Sequence, residues 1–247
     1  PYTKADFLYS ETLALYHHTH LMDSHAGTHL VPPSYALPPR GFSNREYAPA
    51  IRSWLREYER DFGRRGFSSV TTEQVGLDQT CGWARVINVK SLINTTSPGD
   101  WPLSPAITPQ QILEYEAIEG ELRPGQIVLF QTSHVDTYFK SGMGSSLCIA
   151  DPVNGDAEGW PAPSAETIQL LARRGVRCVG IDAPTLGGVD PRSAARTYWA
   201  LGSSGMVGVE FLRGLNQLPA KSYFIFAAVK IRDCHGGPGR AIALFQD

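Results

Sequence analysis

No apolar run in the chain approaches the ~20 residues that a spanning helix needs; the longest, 223–229, has the length of a strand. A membrane partner is therefore not expected. Cysteine is scarce: Cys81, Cys148, Cys178 and Cys234 lie far apart and form no C-x-x-C pair, which argues against both a zinc knuckle and a disulfide framework. Free thiols in a reducing cytoplasm are the expectation. No basic stripe recurs and the formal net charge is −2, so the footprint that phosphate backbones require is missing and nucleic acid is not an expected partner. Several signatures with a known mechanism are also missing: the G-x-S-x-G elbow, the P-loop, H-E-x-x-H, and the third glycine of a dinucleotide loop after Gly142-Met143-Gly144. Internal repeats are absent too.

What is present describes a folded, turn-rich protein. Hydrophobic residues make up 42% and charged residues 19% of 247, with 24 glycines and 18 prolines. That length buries a sizeable core, and one domain spanning residues 1–247 is expected. The sequence opens Pro1-Tyr2 without methionine, which is read as a trimmed start.

Elements with helical and extended character alternate. Residues 7–21 suit a strand, with His17, His18 and His20 distributed over both of its faces. Residues 44–62 carry Ile51, Trp54, Leu55, Tyr58 and Phe62 at helical spacing before Gly63; this helix either packs on the body, the usual place for aromatics at that spacing, or covers a pocket, with Trp54 and Tyr58 then touching substrate. Thr108-Pro109-Gln110-Gln111 is a capping box opening a helix to residue 118. Strands are expected at 84–89, 126–131, 176–181, 206–211, 222–231 and 240–245, the last two paired through the turn 235–239, and helices at 164–174 and from Asp190-Pro191 onward. The turn-forming stretch 94–105 is a candidate rim. The alternation gives an α/β fold with a mixed sheet and parallel crossovers. Polar Thr132 to Asp136 follow a buried strand, where His134 and Asp136 suit a base and its orienter; a solvated turn explains them equally well.

The best functional evidence is His25-Ala26-Gly27-Thr28-His29. Gly27, with Pro32-Pro33 beyond, argues for a tight loop held by the Thr28 hydroxyl, in which both imidazoles face one centre. Taken alone, such a pair describes two ordinary histidines beside a turn. The surroundings change that: the segment with Pro33 resembles the H-x-G-T-H-x-D-x-P-x-H signature of the cyclase and kynurenine formamidase family of metal-dependent hydrolases. Three further blocks resemble that family in the same order, 122–132, 170–185 and 207–219, the last containing Glu210.

The resemblance implies the family's swivelling β/β/α fold, a homodimer or larger, a small-molecule substrate, and one divalent metal, zinc or manganese, held by His25, His29 and Glu210. The departures are equally informative. Val31 stands where the family has an aspartate ligand, Tyr35 where it has a catalytic histidine, and Tyr198 where it has a further histidine ligand. Asp23 is the preferred stand-in for the lost carboxylate. Two chemistries follow. In one, a cyclase-like enzyme closes or rearranges a ring in a small natural-product intermediate without a metal, using His25, His29, Tyr35, Tyr198 and Glu210 for proton transfer, while Asp23, Thr28, Trp54, Tyr58 and His134 contact substrate. In the other, three ligands retain a metal for hydrolysis of a small amide, lactam or lactone. A third reading is an inactive homologue with a binding role.

Overall fold

A computed structural model describes residues 2–10, 15–142 and 145–246, with side chains from Leu21 onward. A hairpin of β1 (Tyr2–Ser10) and β2 (Leu15–Met22) opens the chain, so the strand expected at 7–21 is two strands; the side chains of His17, His18 and His20 lie outside the described residues.

Seven strands close into a barrel. Four run parallel: β4 (Cys81–Asn88), β6 (Ile127–Gln131), β8 (Cys178–Ile181) and β9 (Val207–Glu210). Three run antiparallel to their neighbours and complete the circuit: β3 (His29–Val31), β10 (Lys221–Ala228) and β11 (Gly237–Leu244). A small separate pair, β5 (Ala106–Ile107) and β7 (Ala162–Pro163), joins two loops. The expected mixed α/β fold is present, and its sheet closes because β10 pairs with β11 on one side and β4 on the other.

Seven helices are described: α1 (Pro49–Phe62), α2 (Leu77–Thr80), α3 (Pro109–Glu119), α4 (His134–Tyr138), α5 (Ala150–Asn154), α6 (Ala165–Arg173) and α7 (Pro191–Ser203). The chain crosses between parallel strands through α3, α6 and α7, as such connections require. Local chemistry sets their starts. Thr108 and Gln111 form the expected capping box, and the Ser164 and Asp190 side chains accept the backbone N–H of Thr167 and Ser193. None of these helices is long and apolar enough to cross a membrane.

The alternation of side chains along a strand divides the core in two. Ile127 and Leu129 of β6 and Val207 and Val209 of β9 fill the barrel with Leu30, Phe224 and Phe226. Val128 and Phe130 face the opposite way and pack beneath the helices with Ile168, Leu171 and Trp199. Residues 29, 31, 208 and 210 belong to this second face, because Leu30 and Val209 point inward. The helices over that face therefore decide what surrounds His29 and Glu210.

Helix α1 corrects one expectation. It does not cover a pocket: Tyr58 is buried, bonds Ser203 Oγ at 3.1 Å and sits edge-on to Trp199, while Trp54 packs on the helical core. Arg196 of α7 reaches Asp61 at 3.0 Å, fastening the two helices side by side. The apolar stripe of α1 is consumed by α7, so neither Trp54 nor Tyr58 reaches the site described next.

Candidate active site

Strand register brings the centre of the site together. His29 of β3 and Glu210 of β9 are directly opposed partners, so two residues far apart in sequence share one face at adjacent positions. Their buried side chains meet with His29 Nε2 3.2 Å from Glu210 Oε2. Glu210 lies at the carboxyl end of a parallel strand, where open α/β sheets place ligands. Beside it Asp182, just past β8, accepts the backbone N–H of Thr132 at 2.5 Å and of Ser133 at 2.9 Å, tying the ends of β6 and β8 together. Burial pushes the Asp182 carboxyl up to about 6.

The loop before β3 is tight, as its glycine requires. Gly27 sits at φ +66°, in the left-handed region, and its carbonyl accepts a hydrogen bond from His29 Nδ1 at 2.8 Å. Asp23 caps this turn through its Oδ1, which accepts the His25 N–H at 2.8 Å. Thr28 does hold the loop, donating its hydroxyl to the carbonyl of Phe211 at 2.7 Å. Phe211 itself has φ +58°, an unusual conformation for an aromatic residue, adjacent to Glu210.

A carbonyl only accepts, so the bond to Gly27 fixes a proton on His29 Nδ1. Nε2 is then either a lone pair facing a carboxylate or a second N–H. It is buried and has no aligned hydrogen-bond partner. Glu210 Oε1 is fully engaged, taking the backbone N–H of Leu186 at 2.7 Å and the Tyr198 hydroxyl. Burial pulls the His29 imidazole down, but the adjacent Glu210 carboxylate outweighs it and holds His29 above the ordinary 6.5. That carboxylate favours a second proton on Nε2, making His29 an imidazolium.

Around this pair lies an aromatic chain. The His25 ring stands edge-on to His29 at 4.8 Å between centroids, Tyr35 lies 4.9 Å from His25, and Tyr198 lies 5.0 Å from Tyr35. Burial and the neighbouring His29 push His25 below 6.5, so the two imidazoles are driven in opposite directions. Burial, with the charge of Glu210, raises both tyrosines above 10, Tyr198 well above it, so both remain phenols.

These residues form the floor of a cavity of about 1100 Å³ whose lining includes Asp23, His25, His29, Tyr35 and Glu210. Tyr198 lies beneath, holding Glu210. Thr28 does not line the cavity. His134 does not reach it either: its Nε2 is bonded to the Cys148 carbonyl at 2.9 Å and its ring is packed behind Trp160. Burial lowers its pKa. Asp136 cannot orient it, being bonded to Arg213 and the Gly214 N–H. The polar run 132–136 is thus a structural junction between β6 and α4.

Sequence reasoning missed the walls. Trp160, Phe139, Ile149, Val153 and Phe211 line the cavity. The stretch 94–105 does rim it through Pro102 and Leu103, anchored where Glu158 accepts from Asn94 and Thr96. Gly236, in the turn before β11, packs on His25; a Cβ there would fall 2.8 Å from His25 Nε2. The glycines of that turn were the available signal.

The residues fit a divalent metal poorly. Among the described residues, no three His, Cys, Asp or Glu side chains come together as a metal site. The Nε2 edge of His25 packs against Gly236, Val31 brings no oxygen, and the Tyr198 hydroxyl occupies Glu210 Oε1. The three-ligand set implied by His25, His29 and Glu210 is not assembled.

Comparison with known proteins bears on the first three of the four sequence blocks; the fourth, 207–219, lies beyond the residues that the family model matches. A family model described as "Putative cyclase" matches residues 4–187, and the chain belongs to that cyclase family. An isatin hydrolase of Roseibium aggregatum is 29% identical over 181 residues, covering 68% of this chain and 66% of that protein, just under two thirds of its length. Isatin hydrolase A from Labrenzia aggregata, bound to benzyl benzoate, superposes with a TM-score of 0.67 at 21% identity, covering 98% of this chain and 82% of that one. A structure described as a potential metal-dependent hydrolase with cyclase activity gives 0.60 at 17% identity over 98% and 85%. The members of the family named here are hydrolases or cyclases, and the α/β fold is shared.

Proposed function

We propose that the chain is an enzyme that closes or rearranges a ring in a small molecule by proton transfer, without a metal. The observation that carries this reading is His29 Nε2: buried at the floor of a cavity, 3.2 Å from Glu210 yet without an aligned partner, and next to a second imidazole whose pKa is pushed the opposite way. Two titratable groups pushed apart in this way divide into acid and base.

The neutral His25 ring takes a proton from a carbon beside a carbonyl. The released electron pair moves onto the substrate oxygen, which receives the Nε2 proton of His29. Glu210, 3.2 Å away, stabilises the imidazolium before transfer. Tyr35 donates a hydrogen bond to the developing oxyanion. One proton leaves the substrate and one returns, which is sufficient for enolisation, and for addition or water loss when repeated. Tyr198 acts through Glu210 and is a positioning residue.

Hydrolysis of a small amide, lactam or lactone is the second reading, favoured by the similarity to isatin hydrolase. Turnover assays separate the two. Tyr35→Phe is expected to lower kcat by ~10², the scale of one lost oxyanion donor, with the fold intact by circular dichroism. Activity abolished by a chelator and restored by zinc or manganese, with Tyr35→Phe fully active, would return the enzyme to metal-dependent hydrolysis.

The assembly proposed is a homodimer or larger. Trp83 on the outer barrel face is 63% exposed, which suits a covered surface. Light scattering at micromolar concentration is expected to give at least twice the 27.0 kDa of the chain.

A further inference from the structure

The composition of the cavity wall says what kind of molecule it admits, granted the proton-transfer reading of its floor. No lysine or arginine is among the described residues that line it, while Asp23, Asp190 and Glu210 are. Arg213 stacks on Phe139 but is paired with Asp136 at 3.2 Å and does not line the cavity. Among the described residues of the lining, a carboxylate or phosphate entering this space would meet three acidic side chains and no lysine or arginine, and His29 is already paired with Glu210. Burying such an anion unpaired is strongly disfavoured.

The walls are apolar and aromatic. Phe139 and Phe211 pack edge to face at 5.1 Å, and Trp160 has its indole N–H committed to Thr185, with the carbonyl at 3.1 Å and the hydroxyl at 3.2 Å. Trp160 is therefore left with only apolar surface to offer. Leu103, Phe139, Ile149 and Val153 are each about half exposed at the mouth, apolar surface that water covers unless a ligand does. At about 1100 Å³ the cavity lies at the upper end of the ~300–1,000 Å³ that drug-sized ligands occupy.

We infer that the substrate is an uncharged aromatic molecule of drug-like rather than fragment size, carrying a carbonyl or phenolic hydroxyl at one end and no carboxylate or phosphate. The oxygen end meets His25, His29 and Tyr35, and the ring system lies between Trp160 and Phe211. Wall and floor divide the work: the wall selects on charge and size, and the floor moves the proton.

Equilibrium binding tests this separately from catalysis. Quenching of tryptophan fluorescence by a dihydroxyanthraquinone and by its carboxylated analogue near neutral pH is expected to give a Kd at least tenfold lower for the uncharged compound. Val153→Lys, which adds a cation at the mouth and touches none of the proton-transfer groups, is expected to shrink that ratio severalfold. Equal or tighter binding of the carboxylate by the unaltered protein would overturn the inference, as would failure of the uncharged compound to bind up to its solubility limit. Selective binding of the uncharged compound with no turnover of any uncharged ring substrate would uphold it and remove the proton-transfer reading instead.

Discussion

Replacing His25 by glutamine is expected to lower kcat by ~10³ to 10⁴, the upper part of the range for a lost general base, while leaving substrate affinity within a few-fold. The side chain is half-buried at the cavity floor and makes no hydrogen bond that the fold depends on; only its backbone N–H is tied, to Asp23. The pH profile gives a sharper readout. His25 must be neutral, and its pKa lies below 6.5, so activity rises as pH passes upward through that value. His29 must be protonated, and its pKa lies above 6.5, so activity falls as pH passes upward through the second value. A bell straddling 6.5 is the expected profile of the unaltered enzyme. In His25→Gln the acid limb should vanish from the residual activity while the alkaline limb stays. A bell unchanged in shape would mean that His25 is not the base.

Much of this arrangement was legible in the residues, and the part that was not has a common cause. Helices α3, α6 and α7 begin at Thr108, Ser164 and Asp190, because capping is a local interaction between a side chain and the next few backbone N–H groups. The loop around Gly27 was legible for the same reason. Barrel closure was not: nothing local says that β10 pairs with β4 as well as with β11, and β3 is three residues long, too short for any periodicity. The opposition of His29 and Glu210 depends on that long-range register. The resemblance could place both residues in one pocket, but not state that they are cross-strand neighbours.

Trp54 and Tyr58 show the opposite failure. Helical spacing shows that one face is buried and is silent about what buries it. The cavity walls come from loops and short helices around Leu103, Phe139, Val153 and Trp160, where apolar residues follow no period at all. Family position carried more information for Tyr35 and Tyr198. Both fall where a related backbone aims a ring inward, and here they meet at 5.0 Å beside Glu210.

Glu210 is the residue whose loss should cost the fold most. Its Oε1 holds two buried donors, the Leu186 N–H and the Tyr198 hydroxyl, and its Oε2 balances the charge on His29. Glu210→Ala leaves both donors and the imidazolium without an acceptor, and breaking a buried pair from one side costs about 3–5 kcal/mol. At roughly 2–4 °C per kcal/mol for a protein of this size, the melting temperature should fall by on the order of 10 °C. Glu210→Gln separates charge from packing, since its amide oxygen can still accept from Leu186 and Tyr198 while its N–H can face a neutral Nε2. The sign follows from His29. Its folded pKa is raised, so the stability it contributes is fully present below the unfolded value near 6.5 and is lost as pH rises through the folded value. Thermal melts at about pH 5.5 and about pH 8.5 should therefore show Glu210→Gln well below the unaltered protein at the lower pH and close to it at the higher. An equal deficit at both would mean that His29 is neutral in the folded protein, and the proton assigned to Nε2 would have to be given up.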